Sequence, residues 1–202
     1  MFPVDTLGTH YIVNAPAVTT LPGGKVEVIR VIATGANTTL TYDPPQASAP
    51  TTIAQAGGFV EIQGSIGSFQ ITGDQKIMVV QYMEGQDAGG GTGDPAMTLA
   101  VPVEQFRTQY MFHAPTNYES NYVDVTAPVG AQVMLDGAPL SFNPIGATGF
   151  ALARVNPLSA GPGNDGNHSI QGNMAFGITV YGYGQYTSYW YPGGLDLNTI
   201  IQ

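Results

Sequence analysis

Cysteine is absent from this 202-residue chain. That removes disulfides, thiolate metal sites and cysteine nucleophiles together. It leaves the redox compartment open, because a cysteine-free β protein survives inside or outside the cell. Charge is scarce: Asp, Glu, Lys and Arg make up 9% of residues, against about a quarter in an average soluble protein. Five residues are basic (Lys25, Arg30, Lys76, Arg107 and Arg154); they are scattered, and the net charge is -9. With no basic stripe, nucleic acid is excluded as the expected partner, and the acidity argues against docking on anionic lipid. Apolar runs are far too short to span a bilayer, so no membrane insertion is expected. Met1-Phe2-Pro3-Val4-Asp5 has neither a basic nor an apolar leader region, so no signal peptide is read there. The chain is expected to be a fragment or processed form of a larger protein.

Helix signals are nearly absent too. Gly (27) and Pro (15) punctuate the chain, and between them lie short runs rich in Val, Ile, Thr, Tyr and Phe, which read as strands. In the first half these cover about 10–14, 26–33, 38–42, 58–63, 68–72 and 76–83. In the second they cover about 109–113, 122–127, 132–135, 148–155, 168–171 and 175–183. Asp136-Gly137 between apolar residues marks a hairpin. Strands at this spacing predict an all-β protein of sandwich type.

The chain also matches itself. Thr9-His10-Tyr11-Ile12-Val13-Asn14-Ala15-Pro16 aligns with Thr108-Gln109-Tyr110-Met111-Phe112-His113-Ala114-Pro115, 99 positions on, and Phe69–Gly73 with His168–Gly172. Between these anchors 33–38 aligns with 128–133 at an offset of 95. This predicts an internal duplication: two tandem, similar β-sandwich-like units with loops of different length. The expected division is 1–95, ending in the Gly-rich acidic linker Glu84–Pro95, then 96–192, then a tail or the start of a next module at 193–202. The segment from Tyr186 onward has no counterpart in the first unit.

Candidate chemistry is sparse. The chain has 14 carboxylates, but Asp43, Asp74, Asp87, Asp94, Asp136 and Asp165 sit near Gly or Pro in turn contexts, where turn formation explains them. No Gly-x-Ser-x-Gly elbow occurs, and His10, His113 and His168 lie on strand-like segments without metal-ligand spacing. A hydrolase is therefore the least supported reading, and no enzyme activity is expected. Asn164, Asp165 and Asn167 offer oxygens that suit calcium, but without the closing glutamate of a calcium loop they read as a plain flexible loop. No other cofactor is implied. The aromatic run is more distinctive: Tyr181, Tyr183, Tyr186, Tyr189, Trp190 and Tyr191. Such rings suit contact with a protein or glycan, and the expected ligand-binding set is Tyr183, Tyr186, Tyr189, Trp190 and Tyr191. The plainer reading has alternate rings covering the sheet.

Several phrases resemble a known family. They are Gly93-Asp94-Pro95-Ala96-Met97 leading to Val101-Pro102-Val103-Glu104-Gln105-Phe106-Arg107-Thr108-Gln109-Tyr110, then Val133-Met134-Leu135-Asp136-Gly137. The closing phrase runs Phe176-Gly177-Ile178-Thr179-Val180-Tyr181-Gly182-Tyr183 and Ser188-Tyr189-Trp190-Tyr191-Pro192-Gly193-Gly194. Over nearly its whole length the chain resembles the N-terminal domain family of IgG-Fc-binding proteins. The resemblance implies an extracellular or cell-surface, β-rich interaction domain, often joined to further modules. The expected function is non-enzymatic recognition or adhesion, binding a protein or glycan on another surface through loops and aromatic rings. The alternative is a structural subunit of a surface fibre or sheath, built from like subunits by strand or tail exchange. Its candidate arm is Gly193–Gln202, with Leu195, Leu197, Ile200 and Ile201.

Overall fold

The structure, a computed structural model, describes residues 2–18, 25–89 and 92–197. Within them the chain is all-β. Its strands are β1 (His10–Asn14), β2 (Glu27–Ala33), β3 (Thr38–Asp43), β4 (Thr52–Ile53), β5 (Phe59–Ser65), β6 (Ser68–Gly73), β7 (Ile77–Met83) and β8 (Ala96–Leu99) in the first half. The second half has β9 (Arg107–His113), β10 (Ser120–Pro128), β11 (Val133–Leu135), β12 (Ala138–Pro139), β13 (Asn143–Pro144), β14 (Phe150–Val155), β15 (Asn167–Gly184) and β16 (Thr187–Pro192). Among the described residues, helix is confined to single turns at Val4–Thr6, Gln86–Gly89 and Val103–Gln105. No helix there is long and apolar enough to cross a membrane.

Alternation builds the cores. Along β2, Ile29, Val31 and Ala33 point inward while Val28, Arg30 and Ile32 point out. Two four-stranded antiparallel sheets, β1-β6-β3-β4 and β5-β2-β7-β8, enclose Tyr11, Val13, Ile29, Val31, Phe69, Ile71, Ile77 and Val79. The sheet of the first half thus runs past Pro95, because β8 pairs with β7. In the second half 168–171 and 175–183, read as two strands in the sequence, form one 18-residue strand. Its first part pairs with β9 and β11 and its last part with β10 and β16, with a register shift between Gln171 and Phe176. That strand ties both layers into one eight-stranded sheet around Tyr110, Phe112, Val123, Val125, Ile170, Phe176, Ile178 and Val180.

The same contacts recur at equivalent places in the two halves. The Tyr11 hydroxyl donates to the Ile77 carbonyl at 2.5 Å, and the Tyr110 hydroxyl to the Phe176 carbonyl at 2.5 Å. The 3-10 turns Val4–Thr6 and Val103–Gln105 stand before β1 and β9. Between these anchors, strand register departs from the offset of 95 in the sequence. Ile32 pairs with Met78 as Thr126 pairs with Gly177, an offset of 94 on the outer strand (126 − 32). Leu40 pairs with Gly73 as Val133 pairs with Gly172, an offset of 93 (133 − 40). The segment beyond Tyr186 does find a positional counterpart. Trp190 lies opposite Tyr181 as Met97 lies opposite Tyr82, so β16 takes the place that β8 takes in the first half.

The halves meet through a mixed junction. The outer side of β10, β14, β15 and β16 in the second half is covered by the end of β1, by Ala15–Val18 and by the ends of β2, β7 and β8. Its apolar part joins Val18 and Met83 to Tyr122, Tyr181, Tyr183 and Trp190. Tyr122 and Tyr181 stack at 4.9 Å. Its polar part is hydrogen-bonded across the halves. Asn14 Nδ2 donates to Thr126 Oγ1 at 2.9 Å, Arg154 Nη2 to the Ala15 carbonyl at 2.7 Å, and the Ala17 amide to the Tyr181 hydroxyl at 2.9 Å. Arg154 also grips Asp124 at 2.8 and 2.7 Å. Burial alone would lower the guanidinium, but these bonds to Asp124 raise it. Burial pushes the Asp124 carboxyl up, and the hydrogen bonds and charge of Arg154, with the Tyr181 hydroxyl, pull against that. Glu27 lies beside them, fully buried, accepting from Gln81 Nε2 at 2.8 Å; burial raises its carboxyl from 4.5 to about 8.

Candidate interaction surface

The aromatic run divides by strand parity into an interior set and a surface set. Tyr183 is fully enclosed and Trp190 nearly so, both in the junction between the halves. These two members of the expected ligand-binding set are therefore structural: even-numbered β16 positions and odd-numbered positions of the last part of β15 face the first half. Lys25 Nζ lies 4.9 Å from the Tyr183 ring and donates to the Thr92 carbonyl at 2.8 Å. Gly93 (φ +82°) approaches the same ring so closely that a Cβ would stand 2.6 Å from its Cδ1. The acidic Gly-rich segment is thus pinned at this point, with the Asp94 amide donating to Ser188 Oγ at 2.8 Å; residues 90–91 lie outside the described residues.

Tyr189 and Tyr191 point the other way, half-buried with one side packed against the core of the second half, and form a terrace. Their rings stack at 6.0 Å, and the edge of Tyr118 meets Tyr189 at 4.9 Å. Each hydroxyl is fixed: Tyr189 donates to Asn121 Oδ1 at 2.7 Å and Tyr191 to the His113 carbonyl at 2.6 Å. Burial raises both phenols above their ordinary value, so both stay neutral at physiological pH. Such fixed rings lose little freedom on meeting a partner. Tyr186 stands apart on the β15–β16 turn at φ 51° and is 60% exposed.

Adjoining the terrace is a surface the sequence reading missed. The outer side of β9, β11 and the first part of β15 carries Gln109, Met111, Met134, Ser169 and Gln171, with Tyr110 and Gly193 at the base of a cleft of about 580 Å³. Met111 is 85% exposed. The signal was present: in Gln109-Tyr110-Met111-Phe112-His113 the buried phase is Tyr110 and Phe112, which leaves a methionine on the solvent phase.

The remaining candidates close on themselves. The Asp165 oxygens accept from the Asn167 amide at 3.0 Å and its Nδ2 at 2.7 Å, and these bonds lower the carboxyl below its ordinary value. Asn164 holds a left-handed turn position at φ 54°. Among the described residues no three His, Cys, Asp or Glu side chains gather as a metal site. The structure does bring Asp136 to His168 Nδ1 at 2.7 Å, a pair not anticipated from sequence. His168 is buried and stacked on Phe112 at 4.9 Å, and its Nε2 meets no hydrogen-bond partner. With no hydroxyl in reach of that nitrogen, the pair lacks the nucleophile a triad needs. Of the expected arm, Leu195 and Leu197 are described and Ile200 and Ile201 lie outside the described residues.

A family model described as IgGFc binding protein matches residues 1–182. No curated protein matches. A solved structure described as an anti-sigma factor domain-containing protein is 10% identical, with 85% of this chain and 78% of that chain covered, at a TM-score of 0.26. A likeness that loose carries no argument about fold or role.

Proposed function

The chain belongs to the IgGFc binding protein family, and from that premise we propose that it is a non-enzymatic recognition module of an extracellular or cell-surface protein. It binds a protein partner through the Tyr118–Tyr189–Tyr191 terrace and the methionine-bearing side of β9 beside it. The observation that carries this reading is the terrace itself: stacked rings at 6.0 Å with both hydroxyls already tied to the scaffold. Rigid tyrosines flanked by flexible methionine supply apolar contact area at low entropic cost. The cleft beside the terrace is lined by Gln109, Ser169, Gln171 and the cation Arg107, with no carboxylate among its lining residues.

The test displays the chain to protein and glycan arrays and measures affinity for any saturable hit. Tyr189→Ala and Tyr191→Ala should each weaken binding by about tenfold or more, the range of an interface hot spot, with the melting temperature followed as a control. Saturable binding left intact by both variants would refute the terrace as the contact surface. A glycan hit would replace the protein partner by a carbohydrate.

A further inference from the structure

The surface by which the first half holds the second has an equivalent, and the terrace occupies it. On the first half the holding surface comprises Ile12 and Asn14 of β1, the Ala15–Val18 segment, and Glu27, Ala96 and Thr98 at the strand ends. Moved by the register offsets given above, these positions become Met111, His113, 114–117, Asn121, Tyr189 and Tyr191. Ile12 is 7% exposed because the second half covers it; Met111 in the same place is 85% exposed.

The held surface has its equivalent as well. Thr126, Asp124, Arg154, Tyr181 and Trp190 correspond to Ile32, Arg30, Glu61, Tyr82 and Met97 on the outer side of β5-β2-β7-β8. The cross-strand ion pair Asp124–Arg154 is matched by Arg30–Glu61 at 2.6 Å with the signs exchanged. The Arg30 guanidinium lies over the rings of Phe59 at 4.5 Å and Tyr82 at 5.5 Å. Phe59 is 55% and Met97 52% exposed. Among the described residues one chain therefore carries an uncovered holding surface on its second half and an uncovered held surface on its first.

We infer that the Met111–Tyr189–Tyr191 surface takes the Phe59–Arg30–Met97 face of a second copy of this chain, head to tail, repeating the junction already formed between the two halves. This rests on the recognition reading above and names its partner. The contact joins two different patches, so it does not close on a dimer, and copies add in a row. On one patch Arg30 is paired with Glu61, and on the other Met111 stands beside a cleft lined by Gln109, Ser169, Gln171 and the cation Arg107, so an acidic chain can meet itself there without concentrating negative charge. The mode is face stacking, distinct from strand or tail exchange.

Sedimentation velocity on the full chain tests this. Mass should grow with concentration across about 1–100 µM, the range in which modest interfaces associate. Met111→Lys and Phe59→Asp should each remain monomeric. Both residues are exposed, so folding should hold, and the circular dichroism spectrum checks it; Met97→Lys replaces Phe59→Asp if that variant misfolds. A mixture of the two variants should form dimers and nothing larger, because only one productive contact remains. A single monomeric species for wild type at every concentration overturns the inference, as does a variant that associates like wild type or a mixture that grows beyond dimers. If wild type stays monomeric while array binding is lost in Tyr189→Ala, the recognition reading stands and the partner is a different protein.

Discussion

Glu27 should make the stability of this protein fall as pH rises through neutrality. Its carboxyl is fully buried at the junction of the halves, with one oxygen held by Gln81 and the other without a partner. Burial is the main cause that raises it to about 8 from 4.5, and Asp124 adds to the rise while Gln81 and Arg154 oppose it. The native state therefore keeps a proton on Glu27 at pH 7 that the unfolded chain releases near its ordinary value. A group raised in the native state contributes its full stability below the unfolded value. That contribution is lost progressively up to the folded value, and above about 8 nothing further is lost. Each pH unit inside the window costs about 1.4 kcal/mol, so the step from pH 5 to pH 7 removes roughly 2–3 kcal/mol.

Glu27→Gln keeps the shape and removes the titration. Urea unfolding followed by the fluorescence of Trp190, the chain's one tryptophan, gives stability at each pH. Wild type should lose about 2–3 kcal/mol relative to the variant between pH 5 and 7. The two should differ little at pH 5, and the variant should be the more stable at pH 8. Asp124, Arg154, Tyr181 and Tyr183 are common to both proteins, so the difference curve isolates residue 27. Parallel curves from pH 5 to 8 would refute the assignment of a proton to this carboxyl.

Arg154→Met should cost about 3–5 kcal/mol, because the Asp124 carboxylate, 1% exposed, would be left buried without its partner; a urea midpoint within error of wild type would contradict the clamp. Chelation should leave the melting temperature unchanged, since both Asp165 oxygens are already engaged by Asn167. A fall of several degrees with excess chelator would reveal a bound ion.

Most of the longer strands were legible in the sequence because β-branched and aromatic residues alternate with polar ones and Gly or Pro stops each run; β4, β8, β12, β13 and β16 fell outside the segments read as strands. Asp136-Gly137 was legible for the same local reason: the pair adopts φ 50° and 82° and joins Leu135 to Ala138 across the turn. The place of β16 was not, because nothing in Ser188-Tyr189-Trp190-Tyr191 resembles Ala96-Met97-Thr98-Leu99. Their equivalence exists only in the strands they pair with. The burial of Glu27, Gln81 and Asp124 was also hidden. A carboxylate on an alternating strand reads as solvent-facing until another part of the chain, 100 residues away, arrives to cover it. The aromatic run was half legible. Alternation predicted that some rings point inward, but which phase faces the first half depends on a junction that local pattern does not encode.

The junction separates strength from register, and that separation bears on how its surfaces can be reused. Tyr122, Tyr181, Tyr183 and Trp190 supply large apolar area, and such area is tolerant of small displacements. The hydrogen bonds are not. Asn14, Ala15 and Ala17 each meet one named partner across the halves, and shifting β1 along the sheet would break all three and take from Arg154 the Ala15 carbonyl, leaving it to Asp124 alone. Replacing that pair by apolar residues could hold the halves as tightly, but it would remove the penalty on wrong positions. On the first half the same register positions carry Arg30–Glu61 with side chains 35% and 28% exposed. A cross-strand ion pair at that point is thus common to the covered and the open face. It can set the position of whatever docks there, while Met97 supplies the apolar contact that Trp190 supplies in the second half, with Phe59 exposed beside it.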